Sequence, residues 1–332
     1  MQNHWLQKGM VCEMYRRNYM FCQYNNGCYP AGKSLEIELP RPGKYKIVVT
    51  LKSEIPLNKV TICTDTGNIA FAGDIPTGIF KQTIVINARN SVRDDSLCIC
   101  QDRNIAITVM AESDCFHRLS VSEITCPAIY IAGSADDTSE PLRNTAKPFT
   151  TCLSENRNIN WKQMLTAHTD HSIAISDYSR LGLTIESFRK KGLFAAINEY
   201  SRPGDFCFFQ FDPLSQAAED WAPGGFCRRQ LARYIIECRE RLIYPVLLTP
   251  AACHNGEDMD DLTGQLWEQC LDAYREVGQL TATPVIELHK LRVTAHDAYV
   301  TAGLVAKEIA RVCGAYPERG YRFLSKCMGA NG

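Results

Sequence analysis

No apolar run in this chain reaches the roughly 18 residues that a membrane-spanning helix needs. Nor is there an excess of one charge: 36 basic side chains stand against 37 acidic ones, a net charge of −1. Without a basic stripe the chain lacks the electrostatic footprint of a nucleic-acid binder, and without a polybasic tract it lacks that of a membrane-surface protein. The opening residues Met1-Gln2-Asn3-His4-Trp5 lack the charged-then-apolar layout of a signal peptide. Internal repeats and low-complexity tracts are missing too. No two cysteines have the two-residue spacing of a zinc knuckle or a redox motif. Cys98 and Cys100, in Ser96-Leu97-Cys98-Ile99-Cys100, would share one face of a strand with no second pair nearby, a poor arrangement for zinc. Neither a metal nor any other cofactor is expected, and nucleic acid and membrane are excluded as partners.

What the chain does have is length and thiols. Its 332 residues allow two domains and a large core. Its 16 cysteines are scattered, several inside apolar runs such as Phe206-Cys207-Phe208-Phe209. They read as buried free thiols of a cytoplasmic, reducing environment. A disulfide framework would suit a much shorter secreted chain.

Residues 1–33 are rich in Tyr, Asn, Cys and Met and show no clean period; Met10–Tyr24 reads equally as a helix or an irregular cover. From Ser34 the texture changes. Leu35–Leu39 alternates, Pro40-Arg41-Pro42-Gly43 is a turn, and Lys44–Leu51 is β-branched. Further short strands are expected near Lys59–Cys63, Phe80–Asn87, Ser96–Gln101, Ile105–Met110 and Leu119–Ile124, separated by turn signals such as Asp65-Thr66-Gly67-Asn68. Many short strands with regular turns predict an all-β sandwich over residues 34–126.

After Cys126-Pro127 the period changes again. Ile129–Ala132 is a buried strand that ends at Gly133 and empties into a polar loop. Strands at Ile173–Ile175, Phe206–Phe211, Val246–Leu248 and Val285–Leu288 alternate with helices over Thr184–Tyr200, Gly224–Ile243, Leu262–Val277 and Thr301–Cys313, and Asn160-Trp161-Lys162-Gln163-Met164-Leu165 starts another. That alternation predicts an α/β domain over residues 127–332, a parallel sheet covered on both faces in three α/β/α layers. Ligands bind such sheets at the carboxyl ends of the strands, so the loop after Gly133 is where chemistry is expected.

Residues 127–313 resemble the SGNH (GDSL-type) hydrolases, with their flavodoxin-like fold, and within them the rhamnogalacturonan acetylesterase-like branch. The anchors appear in order: Ile131-Ala132-Gly133 before the nucleophile, Asn160-Trp161-Lys162-Gln163-Met164 like the Gly-Trp-Gly-Gln helix start, and Ser179 in the second block. Pro203-Gly204-Asp205 with Phe209-Gln210-Phe211 leads to the third block. Pro245–Pro250, Pro284–Leu288 and Ala302–Ala306 then match the last strands and helix. The preceding β domain is similar to a sandwich that some bacterial members carry.

The resemblance implies an ester hydrolase in which a serine attacks the carbonyl, a histidine takes its proton, an aspartate orients the histidine, and backbone N–H groups with an asparagine hold the oxyanion. In register, the nucleophile of Gly-Asp-Ser falls at Ala135. The oxyanion glycine falls at Asp177 and the oxyanion asparagine at Leu214. The closing Asp-x-x-His falls on Ala295 and Ala298. A shifted register would offer Ser134 with His296 and Asp297, but adjacent His and Asp point apart on most backbones.

The expectation is therefore a degenerate esterase homologue that binds a carbohydrate, such as an acetylated oligosaccharide, or a partner through the old cleft. Two alternatives stand beside it: an active O-acetylesterase with a displaced site, and a purely structural interaction protein. The ligand-binding candidates are Ser134, Asp136, Arg180, Asp212 and His254. Asp136-Asp137, Asp212 and His254 read as solvated groups rather than as an oxygen-rich metal site. Glu257–Asp261 reads as an acidic loop entering a helix, and His168 and His171 as surface residues. The oligomeric state is not legible.

Overall fold

The computed structural model describes residues 19–22, 31–64, 68–88, 91–92, 99–100, 104–134, 161–251, 261–291 and 298–329. The chain forms two compact units: Met1–Asn90 with Gln101–Cys126, and Ser91–Cys100 with Pro127–Gly332.

The first unit is antiparallel. Its strands are β1 (Tyr19–Cys22), β2 (Ala31–Glu38), β3 (Gly43–Ser53), β4 (Leu57–Thr64), β5 (Ile69–Ile75) and β6 (Gly78–Ala88). After β7 (Ser91–Val92) and β8 (Ile99–Cys100), which pair with each other inside the second unit, it resumes with β9 (Asn104–Ala111) and β10 (Phe116–Glu123). One antiparallel group has the order β1-β2-β9-β4-β5; in the other, β3 pairs with β10 and β6. Strand pleating explains the shared core. Tyr45, Ile47, Val49 and Leu51 alternate along β3 and are all buried, and they cluster with Ile62, Ile84, Ile105 and Ile107. β5 was not expected, because Ile69-Ala70-Phe71-Ala72-Gly73 has few β-branched residues and ends on glycine. Of the expected strand Ser96–Gln101 only Ile99–Cys100 lies among the described residues. Tyr19–Cys22 pairs with β2, so that part of the N-terminal segment extends the first antiparallel group.

The second unit carries a parallel ladder. β11 (Ala128–Gly133) lies between β12 (Ala174–Asp177) and β13 (Phe206–Gln210), followed by β14 (Tyr244–Leu248) and β15 (Val285–Ile286), all parallel. Counted within the unit this is the order 2-1-3-4-5 of flavodoxin-like sheets. All six residues of β11 are buried, as a central strand requires. β13 is apolar on both faces. Phe209 stacks on Tyr234 of the helix Phe226–Glu240 at 5.1 Å, while Phe206 stacks on Tyr244, which meets Tyr321 of the helix Arg319–Gly329. Residues three apart on a strand point to opposite faces, so helices cover both sides of the sheet.

Several boundaries differ from the expected ones. The helix expected over Thr184–Tyr200 is two helices, Ile185–Lys190 and Leu193–Tyr200, because Gly192 between them is left-handed at φ 71°. The first is closed by a capping box in which Thr184 and Ser187 each accept the other's backbone N–H. β15 stops at Ile286 and gives way to a 3-10 turn over Leu288–Leu291. The helix Arg319–Gly329 was missed, although Tyr321, Leu324, Cys327 and Met328 give it a buried stripe. No helix among the described residues is long and apolar enough to cross a membrane.

Candidate functional site

The strand order reverses between β11 and β13, which places the expected crevice at their carboxyl ends. Gly133 closes β11 at φ 137°, a conformation that L side chains rarely adopt. A Cβ there would also collide with the backbone carbonyl of Gln210. This close approach lets the Ser134 N–H donate to Gln210 O at 2.8 Å and turns the chain out of the sheet.

Ser134, the displaced-nucleophile candidate, is only 3% exposed. Its hydroxyl donates to Leu183 O at 2.6 Å and accepts the Asp212 N–H at 3.1 Å. The side chain thus ties together the loops that leave β11, β12 and β13. A nucleophilic serine needs its proton directed at a base, and here that proton is held by a backbone carbonyl. Among the described residues no histidine is bonded to it.

Asp177, at the oxyanion-glycine position, ends β12. Its Oδ1 accepts the Ser179 N–H at 2.8 Å and the Ser179 hydroxyl at 2.6 Å, a tight turn of the kind Asp favours. Lys162, in the short helix Trp161–Met164, is fully buried. Its Nζ donates to Ser134 O at 3.0 Å and to Ser179 Oγ at 3.4 Å, and lies 5.9 Å from the Trp161 ring. An ammonium and a carboxylate therefore face each other across the Ser179 hydroxyl. In the family that the sequence resembles, both positions are glycine. Lys162 was not singled out in the sequence, yet the signal was there: two glycine positions exchanged for opposite charges.

The remaining candidates divide. Arg180 bridges to Ser134 along the backbone, and its own N–H donates to Gly133 O at 3.2 Å. Its Nη1 donates to Ser179 O at 2.9 Å. Asp212 caps the 3-10 turn Pro213–Ser215, its Oδ1 accepting the Leu214 N–H at 2.9 Å. Leu214, at the oxyanion-asparagine position, is 48% exposed, and Leu181 is 47% exposed. Ala298 is the first residue of the helix Ala298–Gly314. Ala135, Asp136, Asp137, His254, Ala295, His296 and Asp297 lie outside the described residues, as do 257–260 of the acidic loop. Ser134, Asp177, Arg180 and Asp212 are thus brought into one neighbourhood.

His168, expected at the surface, is partly exposed. Its ring packs on Tyr299 at 4.4 Å, and its Nε2 lies 2.9 Å from Tyr299 O. Burial lowers its pKa, with the Tyr299 carbonyl opposing and Lys307 assisting. Among the described residues no cluster of three or more His, Cys, Asp or Glu side chains has the arrangement of a metal site.

The chain matches no family model, and no curated protein matches it. It is similar in structure to the Bacillus subtilis protein YxiM, at 17% identity over 84% of this chain and 80% of that one, with a TM-score of 0.44. An acetyl xylan esterase variant from Geobacillus stearothermophilus shares 10% identity over 58% of this chain and 97% of its own, at 0.41. A Corynascus thermopiles (Myceliophthora fergusii) carbohydrate esterase family 2 enzyme with a carbohydrate-binding domain shares 12% over 92% and 100%, at 0.38. Carbohydrate esterases are thus among the structural neighbours.

Proposed function

We propose that this chain is a catalytically degenerate homologue of the SGNH-type carbohydrate esterases, of the rhamnogalacturonan acetylesterase-like branch, and that it binds a carbohydrate through the old cleft. An acetylated oligosaccharide is the ligand class the family suggests. The antiparallel unit is read as the accessory sandwich of that family, and the reducing cytoplasm as the setting for its free thiols. The observation that carries the reading is the Ser134 hydroxyl. It is spent on Leu183 O and the Asp212 N–H, so among the described residues the serine next to the nucleophile position directs its proton at a backbone carbonyl and not at a base. The Asp177 carboxylate stands where the family presents a bare N–H to the oxyanion, and a like charge there opposes the chemistry.

The test has two parts. Hydrolysis of p-nitrophenyl acetate should stay at the uncatalysed rate, and a phosphonate serine probe should leave the protein unlabelled. A screen of acetylated and plain oligosaccharides should then return a binder. Turnover that Ser134→Ala abolishes would establish the displaced-site esterase instead. Absence of both turnover and glycan binding would leave the structural, partner-binding reading.

A further inference from the structure

We propose that His289 is an acid-sensitive latch that holds the edge strand β15 to β14 at their carboxyl ends. This inference does not depend on what the cleft binds.

The latch is needed because β15 is short. Only Val285 and Ile286 pair with β14, and the ladder closes where the Thr249 N–H donates to Ile286 O at 3.0 Å. A two-residue edge strand gains little from its own ladder, so side chains must hold it. The Thr249 side chain is fully buried at the exit of β14, with its Oγ1 3.1 Å from His289 Nδ1. The other ring nitrogen, Nε2, faces Arg275 Nη2 of the helix Asp261–Leu280 across 3.5 Å. A guanidinium only donates. Nε2 must therefore be the bare, accepting nitrogen, and Nδ1–H the donor to Thr249. One tautomer of the neutral ring satisfies both sides.

Protonation undoes this. A proton on Nε2 sets two cationic donors against each other, and Arg275 cannot give its proton up. Among the described residues the surrounding charges do not relieve the clash. Glu287 accepts from Arg275 Nε at 2.9 Å and is also paired with Lys290. Asp272 takes Arg275 Nη1 at 3.1 Å. Glu268 faces the ring from the same helix as Arg275, and beyond Glu287 the helix Ala298–Gly314 contributes the closed pair Glu308–Arg311. Burial, with Arg275 and Lys290, holds the His289 pKa below 6.5, against the pull of Glu287 and Glu268. The latch is therefore shut above pH about 6.5 and is released as the pH falls through the ring's lower folded value.

Imidazole nitrogen NMR on the whole protein at pH 7.5 should show His289 as the Nδ1–H tautomer, with assignment from the His289→Asn variant. Amide hydrogen exchange, corrected for its intrinsic pH dependence, should show Thr249 and residues 285–291 losing protection between pH 7.5 and 5. The loss should be about tenfold for each unit by which the ring's pKa is depressed. His289→Asn keeps a donor for Thr249 but does not titrate, so its protection there should not depend on pH. His168→Asn should keep the wild-type response. An Nε2–H tautomer in the wild type at pH 7.5 would overturn the proposal, as would equal pH responses in wild type and His289→Asn. Assignment of the ring through its side-chain-to-backbone correlations in the wild type keeps the tautomer measurement valid even if a variant fails to fold.

Discussion

Replacing Lys162 by Met keeps the length of a fully buried side chain and removes its ammonium. Two things are lost. Ser134 O loses its side-chain donor at 3.0 Å, and the Asp177 carboxylate loses the cation held opposite it through Ser179. A buried acceptor left unsatisfied costs about 1–3 kcal/mol. Stranding one member of a directly bonded buried ion pair costs about 3–5 kcal/mol. Here the pair is separated by a hydroxyl and Asp177 is only half-buried, so water screens much of that cost. Against the loss, methionine spares the desolvation of an ammonium. The net expectation is about 2 kcal/mol of destabilisation, a Tm decrease of about 4–8 °C for a unit of this size. Urea unfolding followed by tryptophan fluorescence is a suitable assay, because Trp161, Trp221 and Trp267, three of the four tryptophans, lie in the second unit. The sharper readout is the double variant with Asp177→Asn, which removes the carboxylate charge yet still accepts from Ser179. The two changes should couple by about 1 kcal/mol, the pair together costing less than the sum. Additivity within about 0.5 kcal/mol, or a more stable Lys162→Met protein, would refute the idea that the two charges are matched.

Gly133→Ala should cost more than about 4 kcal/mol and be seen as loss of soluble, cooperatively melting protein, since backbone strain and collision with Gln210 act together. Ala135→Ser alone should leave acetyl-ester hydrolysis at background, because Leu214, Ala295 and Ala298 still lack the groups the reaction needs; measurable turnover would mean that a base is supplied from elsewhere. Nine of the described cysteines, from Cys63 to Cys327, form no disulfide, and thiol titration of the denatured, unreduced protein should find most of the 16 reactive; mostly bonded sulfur would overturn the reading of a reducing compartment. Melting temperature should fall in two stages on acidification. The first lies below pH 6.5, as His168 and His289, both depressed by burial, are forced to charge. The second lies below pH 4.5, as Glu237, Glu287 and Glu308 lose the arginines and lysine that hold their pKa values down. Stability unchanged between pH 7.5 and 5.5 would contradict the first stage.

Much of the architecture was legible because its signals are local. The continuous apolar runs Ile129–Ala132 and Phe206–Phe209, short and bounded by Pro127, Gly133 and Gly204, read as central strands. The alternation of Tyr45, Ile47, Val49 and Leu51 can only belong to a strand with one buried face. Where local signals were thin the reading failed. β5 carries a glycine and few β-branched residues, and the helix Arg319–Gly329 follows Pro317 in a polar stretch. The break at Gly192 depends on one backbone angle, which a helical period does not encode.

The sequence by itself determined the alternation of strands and helices in the second unit, its parallel sheet, and the presence of alanine or leucine at the positions where the family it resembles carries its reactive groups. Those follow from residue type and spacing along the chain. Only the tertiary structure decided what Ser134, Lys162, Asp177 and His289 do. Ser134 is tied to residues 49 and 78 positions away, Lys162 to residues 17 and 28 away, and Thr249 to His289 40 away. Such contacts are set by which strands lie side by side and where each one ends. A hydroxyl's partner, or an imidazole's tautomer, is therefore fixed by the register of the folded sheet and not by any pattern local to the residue.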